Sequence, residues 1–312
     1  MQIPSLLDLA APTDADLREV YALLQRCKQA ATPDDPYYTV DQLVATSRHR
    51  PPGTADWEWV LDGGYALLSR RSGEANGSME LVVAPEVRRR GLGTSLAGAV
   101  LEQARAAGCA WVVGHVADPA GMAFARSLGA REGNSELVSA LHLADAVVRP
   151  EPVPGYSVRS WVDEPPLELF ASWVVAVNAI TDAPHSEEID DTPLTEAQVR
   201  AKIARIIARG QQMRVTVVLD QDGTVVGSTE LGVGIKGGSR AQISGTSVLA
   251  AHRRRGLARW LKAEALARLI DERPDVQIVR TSNDSTNTGM LAVNHAVGFN
   301  TVARYTDMIF TL

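Results

Sequence analysis

Two stretches decide how this chain reads: LVVAPEVRRRGLGTSL, from Leu81 to Leu96, and TSVLAAHRRRGLARWL, from Thr246 to Leu261. Superimposing the arginine triplets aligns Val83 with Val248, Arg88 with Arg253, Gly91 with Gly256 and Gly93 with Ala258, at a constant offset of 165 (248 minus 83). A self-match of this kind marks a repeated unit, so the chain reads as two copies of one fold. The boundary falls in RPEPVPGYSV, where Pro150, Pro152, Pro154 and Gly155 withdraw backbone donors and break helical angles. The expected organisation is a first domain over 1–148, a linker over 149–155 and a second domain over 156–312. Each half, cut apart in the linker, is expected to fold.

Around each motif the element pattern is the same. In the first half, apolar periodicity predicts helices over 17–30 and 40–49, strands over 57–61 and 65–69 turned by Asp62-Gly63-Gly64, and a strand over 79–83. A helix over 92–107, a strand over 111–116 and a helix ending near Gly129 follow. The second half predicts helices over 167–179 and 196–209, a hairpin turning at Asp222-Gly223, and a strand through Val248. A helix over 257–270, a strand over 277–280, a helix over 288–297 and closing strands over 299–312 complete it. Helices first, an antiparallel meander and then a strand-helix-strand unit is an α+β pattern with a mixed, mostly antiparallel sheet flanked by helices.

Composition excludes several functions. With 312 residues, 45% hydrophobic and 22% charged, the chain is long enough for two packed cores. A net charge of -6 offers no electrostatic footprint for nucleic acid or an anionic membrane surface. Cys27 and Cys109 stand alone, so neither a disulfide framework nor a metal site is suggested. Asp8, Asp14 and Asp16 sit where a secretory leader would need basic and then apolar residues, so a cytoplasmic location is expected.

The chemistry is carried by Arg88-Arg89-Arg90-Gly91-Leu92-Gly93-Thr94, between an apolar strand and an apolar-periodic helix. A turn there directs backbone N–H groups outward at a helix N-terminus, and the ligand it suits is a diphosphate. Gly91 and Gly93 are read as removing Cβ atoms that would hold phosphates away. The second copy, Arg253-Arg254-Arg255-Gly256-Leu257-Ala258, keeps the first glycine and replaces the second by alanine. Both copies resemble the acetyl-CoA signature of the GNAT superfamily of N-acetyltransferases, R/Q-x-x-G-x-G/A after the fourth strand. Asn287 with Gly298-Phe299 also resembles that superfamily's Asn-x10-Gly-Phe ending, for which the first half has Asp118 and Gly129-Ala130. TDAP, GSTEL, HRRRGLARWLK and TSNDSTNTGMLAVNHAVGF are similar to a tandem group that includes mycothiol synthase.

The resemblance implies two tandem GNAT folds using acetyl-CoA as cosubstrate and no metal. In such a fold the strand before the loop splays from its neighbour, pantetheine fills the opening, and a backbone amide polarises the thioester carbonyl. By position that amide belongs to Val83 or its neighbour and to Val248, while Asn283 and Asn287 join the two loops as expected cofactor contacts. The tyrosine that many members use as an acid falls at Ala125 and at Asn294, so neither half has it.

Amine acetylation also needs a base. Glu230 on the strand after the second hairpin, His252 before the second loop and Glu80 before the first are the candidates, with a solvent-facing strand residue and a loop-ordering histidine as the plainer readings. Tyr305 is an alternative acid in the second half, or a packing residue. Asp182, Glu187, Glu188, Asp190 and Asp191 point to a cationic acceptor or to an acidic surface loop. The expected function is acetylation of a small-molecule amine, more in the second domain, by a monomer or homodimer. The alternatives are a catalytically silent acyl-CoA-binding or sensing protein and a mycothiol synthase-like enzyme.

Overall fold

A computed structural model of the chain describes residues 5–6, 14–35, 40–47, 53–146, 148–182, 193–234 and 239–312. The chain divides into two compact units: unit 1 is Met1–Ser135 with Ala303–Leu312, and unit 2 is Glu136–Val302.

In unit 1, β1 (Ser5–Leu6), α1 (Asp14–Ala31) and α2 (Val40–Ser47) precede an antiparallel meander of β2 (Thr54–Leu61), β3 (Gly64–Arg71) and β4 (Asn76–Val83). The β2–β3 turn needs Gly63 at φ +74, a left-handed angle that suits glycine. α3 (Leu92–Ala106), β5 (Trp111–Val116) and α4 (Pro119–Ser127) follow. Leu92, Leu96, Val100 and Ala104 recur at the helical period and bury one face of α3 against Ala66, Leu68 and Val112 of the sheet. Leu17, Val20, Tyr21 and Leu24 of α1 meet Tyr65 in a second cluster.

In unit 2, β7 (Ser157–Val162), α5 (Leu167–Asn178) and α6 (Glu196–Ala208) precede the meander β8 (Gln211–Leu219), β9 (Val225–Gly234), β10 (Arg240–Val248), and then come α7 (Leu257–Glu272), β11 (Ile278–Asp284) and α8 (Thr288–Val297). Thr195 and Gln198 close a capping box at the start of α6. α5 and α6 pack Trp173, Val177, Val199 and Ile203 on Val215 and Val217, whereas α7 packs Leu266 and Leu269 with Leu231 and Val279.

Two twelve-residue strands, β6 (Arg131–His142) and β12 (Asn300–Thr311), follow the corresponding helices of the two halves. Each serves the other half. Glu136–His142 of β6 pairs with β11 in unit 2, and Thr306–Thr311 of β12 pairs with β5 in unit 1. Met308 and Phe310 thereby enter the core cluster of α3, and Leu141 that of α7. Residues expected to close the second half therefore complete the first, and β6 and β7, unassigned from sequence, are strands.

Candidate active site

β4 pairs in parallel with β5 from Asn76 to Met79 and then leaves it, while Glu80–Val83 stay paired with β3. In unit 2, β10 pairs with β11 only over Arg240–Gln242, while its pairing with β9 runs on to Val248. Each unit thus has a wedge between two parallel strands, where one backbone edge finds no strand partner. Unit 2 adds a β-bulge: Ile243 faces Leu231 and Gly245 faces Glu230, leaving Ser244 unpaired.

At the mouth of each wedge the loop is built identically. The first arginine folds back, Arg88 Nε donating to Val83 O at 3.0 Å and Arg253 Nε to Val248 O at 2.8 Å. The second takes a left-handed backbone, φ 64 at Arg89 and 63 at Arg254, as do Gly91 and Gly256 at φ 83. Such alternation curls successive N–H groups around a concavity suited to an anion. Neither α3 nor α7 has a side-chain cap, and the first helical amides taken up are those of Ser95 and Trp260. The amides of residues 91–94 and 256–259 therefore have no intrahelical acceptor.

The glycines do different jobs. A Cβ on Gly91 or Gly256 would meet nothing within 4 Å, so the angle is what requires glycine there. A Cβ on Gly93 would come 3.2 Å from the Phe124 ring, so its smallness serves the packing of α3 on α4 rather than the approach of a phosphate. Leu92 and Leu257 bury their side chains and offer only their amides. Thr94, Arg90, Arg254 and Arg255 are exposed beside the loops, and Arg253 also reaches Asp182 at 2.5 Å.

Asn287 Oδ1 accepts from Met290 N at 3.1 Å, and Asp118 Oδ1 accepts from Gly121 N at 2.8 Å. Gly298 and Gly129 end the same helices at φ 106 and 89. The Asn-to-Gly spacing thus describes a short helix capped at both ends, which is why Asp serves as well as Asn.

The candidate bases separate. Glu230 is buried on the face of β9 covered by α5 and α6; its Oε2 lies 2.5 Å from Lys202 Nζ, and its Oε1 is buried with no hydrogen-bond partner. A Cβ on Gly245 would lie 3.4 Å from Ile180 Cδ1 and 3.8 Å from Glu230 Oε2, in ordinary contact with both. Glu80 pairs with Lys28 of α1 at 3.2 Å, both side chains half-buried. His252 Nδ1 sits 3.0 Å from the Tyr156 hydroxyl, with the rings edge to face, and so fastens the linker's end to the loop. Tyr305 lies in unit 1, where its hydroxyl donates to the buried Asp35 at 2.8 Å. Of the acidic segment, Asp182 is described; Glu187, Glu188, Asp190 and Asp191 lie outside the described residues.

The sequence profile of the Acetyltransferase (GNAT) family matches this chain over residues 17–130 and again over 176–299. The chain belongs to the GNAT acetyltransferase family. Mycothiol acetyltransferase of Nocardioides sp. is 30% identical to it over 184 residues, 58% of each chain. Mycothiol acetyltransferase of Rhodococcus erythropolis is 46% identical over 72 residues, 22% of this chain and 23% of that one. The matches thus span from about a quarter to somewhat over half of those relatives' lengths. Among solved structures, a tandem GNAT protein from the clavulanic acid biosynthesis pathway superposes with a TM-score of 0.82 at 24% identity, covering 98% of each chain. A GCN5-related N-acetyltransferase from Sphaerobacter thermophilus gives 0.73 at 21% identity, over 96% of this chain and 94% of that one. Both share the GNAT fold.

The family uses acetyl-CoA as cosubstrate, and both GNAT units have features that fit it: uncommitted amides in a left-handed loop for a diphosphate, and a wedge with an unpaired strand edge for an extended arm. Three lysines went unnoticed in the sequence: Lys202 and Lys28, which pair with the candidate bases Glu230 and Glu80, and the buried Lys262. Lys202 and Lys28 are exposed-looking helix lysines whose partners lie on strands distant in sequence. Lys262 left a readable trace, sitting four residues from Ala258 and Leu266 on the buried face of α7.

Proposed function

We propose that unit 2 transfers the acetyl group of acetyl-CoA to a small amine, with Glu230 receiving the proton that the amine gives up. One observation carries this reading: Glu230 Oε1 is buried with no hydrogen-bond partner, on the residue that faces Gly245 next to the bulge at Ser244, at the height where β10 has left β11. When bound, acetyl-CoA supplies an acyl group activated as a thioester. The amides of residues 256–259 hold its diphosphate, and the free edge of β10 from Ile243 to Val248 hydrogen-bonds its arm and polarises the carbonyl. Lys202 holds Oε2, so Oε1 is the oxygen that accepts a proton, directly or through one water. An acceptor that arrives as an ammonium ion gives up two protons in all, the first to solvent before it can attack and the second to Oε1 as the carbon–nitrogen bond forms.

The test is amine-dependent release of free CoA from acetyl-CoA across a panel of small amines, thiol-bearing amino sugars included because of the relatives' names. Release with cationic amines supports the proposal. A second reading, a silent acyl-CoA-binding protein, is favoured by Ala125 and Asn294 standing where an acid is usual and by the tight hold of Lys202 on Glu230. Stoichiometric acetyl-CoA binding with no CoA release from any amine would select it.

A further inference from the structure

Lys262 is buried inside unit 2, on the inner side of α7. Its Nζ donates to Asn294 Oδ1 at 2.6 Å and lies 5.7 Å from the centre of the Phe299 ring. Asn294, 2% exposed, donates through Nδ2 to Asn283 Oδ1 at 2.7 Å. While Lys262 is protonated it has only hydrogens to give, and Asn294 then turns its oxygen to Lys262 and its NH2 to Asn283. That fixes Asn283 in turn, with its oxygen inward and its NH2 at the open end. All three members therefore donate in one direction, from the buried cation toward β11. Chains aligned in this way polarise each successive donor.

The open end falls at a defined height. The last parallel pair is Gln242 with Arg280. Counting onward, Ser282 and Asn283 stand across the wedge from Ser244 and Gly245, and Gly245 is the register partner of Glu230. The donor chain thus ends at the same height of the wedge as Glu230, on the α7/α8 face of the sheet, while Glu230 lies on the α5/α6 face. Among the described residues of unit 1 there is no such chain: at the equivalent positions Lys262 is replaced by Ala97 and Asn294 by Ala125.

We infer that Lys262 is a positioning residue which, through Asn294 and Asn283, stabilises the negative charge on the sulfur of departing CoA. This rests on the acetyl-transfer reading above. In that step the amine nitrogen bonds to the acyl carbon, its proton goes to Glu230, the carbon–sulfur bond breaks and the electron pair stays on sulfur. Lys262 gives up no proton; the Asn283 amide donates a hydrogen bond to the thiolate. Burial pushes the Lys262 ammonium down to about 7, with no acidic side chain offsetting the cost. A group held so unfavourably, with a single hydrogen-bond acceptor, calls for a role beyond packing.

The experiment is titration of the CoA thiol bound to the full-length protein, followed by thiolate absorbance, in the parent and in Lys262→Met and Asn283→Ala. All three chain residues belong to unit 2, so a difference from the parent isolates that site. In both variants the bound thiol should ionise about one pH unit higher than in the parent, a tenfold change, while calorimetry shows CoA affinity at pH 6 within about threefold. Asn283 is partly exposed, so its variant keeps the test valid if Lys262→Met does not fold. An unchanged thiol titration in variants that bind CoA overturns the role of Lys262. Failure of the parent to bind CoA would instead overturn the acetyl-CoA reading, and this inference with it.

Discussion

The two units place a carboxylate and a lysine at the same height of the same wedge, yet from different residues. In unit 2 the carboxylate is Glu230 on β9, facing Gly245 across the strands. In unit 1 the residue equivalent to Gly245 is Glu80, and the one facing it on β3 is Leu67. The lysine comes from α6 in unit 2 and from α1 in unit 1. Glu230 is the more sequestered, its side chain 4% exposed against 29% for Glu80. The bulge at Ser244 and the chain behind Asn283 also occur in unit 2 alone among the described residues. One scaffold has thus been kept in two copies, with its polar groups redistributed. The loops agree in their left-handed backbone angles and in the folded-back first arginine, because they are built of backbone. The surroundings of Glu230 and Glu80 differ because side chains make them.

Breaking that asymmetry gives the largest expected effect. Glu230→Gln should lower turnover at saturating amine about a hundredfold, within the usual contribution of a general base, while Glu80→Gln changes it less than threefold. Steady-state rates across pH 6 to 9 decide it. The opposite ranking would move catalysis to unit 1. The loops test cofactor holding separately. Gly256→Val should weaken acetyl-CoA binding in unit 2 tenfold or more, since a branched residue resists φ 83 and pulls the amides out of line. Calorimetric stoichiometry for Gly256→Val beside Gly91→Val shows which unit is loaded, and an unchanged isotherm in both makes the loops mere turns.

A smaller effect concerns stability. The folded-state pKa of Lys262 is about 7, below the roughly 10.4 of a free lysine. Between those values the unfolded chain binds more protons, so the parent gains stability as pH rises from 7 by about 1.4 kcal/mol per unit, and this dependence vanishes below about pH 7. Denaturant unfolding of Lys262→Met should lack that slope. If both proteins share it, Lys262 is not the group responsible. Smallest of all, His252→Ala should reduce turnover less than threefold, because its ring is occupied with Tyr156. A hundredfold loss would return His252 to the list of bases.

Much of the fold was legible because it rests on local signals. The duplicated motif gave the tandem fold, the Asp-Gly turns marked the hairpins, and Leu92-to-Ala106 and Leu257-to-Glu272 carried helical periodicity. What was missed is non-local. REGNSELVSALH of β6 is polar at its start, and nothing in it says that it pairs with β11 rather than β5. Gly93 was legible as small but not as a seat for Phe124. Glu230 was visible as a strand carboxylate, whereas its pairing with Lys202, the bulge beside it and its buried, unpartnered Oε1 needed three dimensions. Tyr305 looked like part of the second half because neighbours in sequence are usually neighbours in space, a rule that the exchange of β6 and β12 suspends.

That exchange has a consequence for synthesis. Asp307 meets His115 across a separation of 192 residues. At ribosomal rates of about 5–20 residues per second, the first unit leaves the tunnel and then waits on the order of 10–40 s for the strand that seals it. Through that interval the edge of β5 and the apolar seats of Met308 and Phe310 stand open. A nascent chain is thus most vulnerable to chaperones and aggregation in its older half, and a premature stop near residue 300 would strike the unit made first.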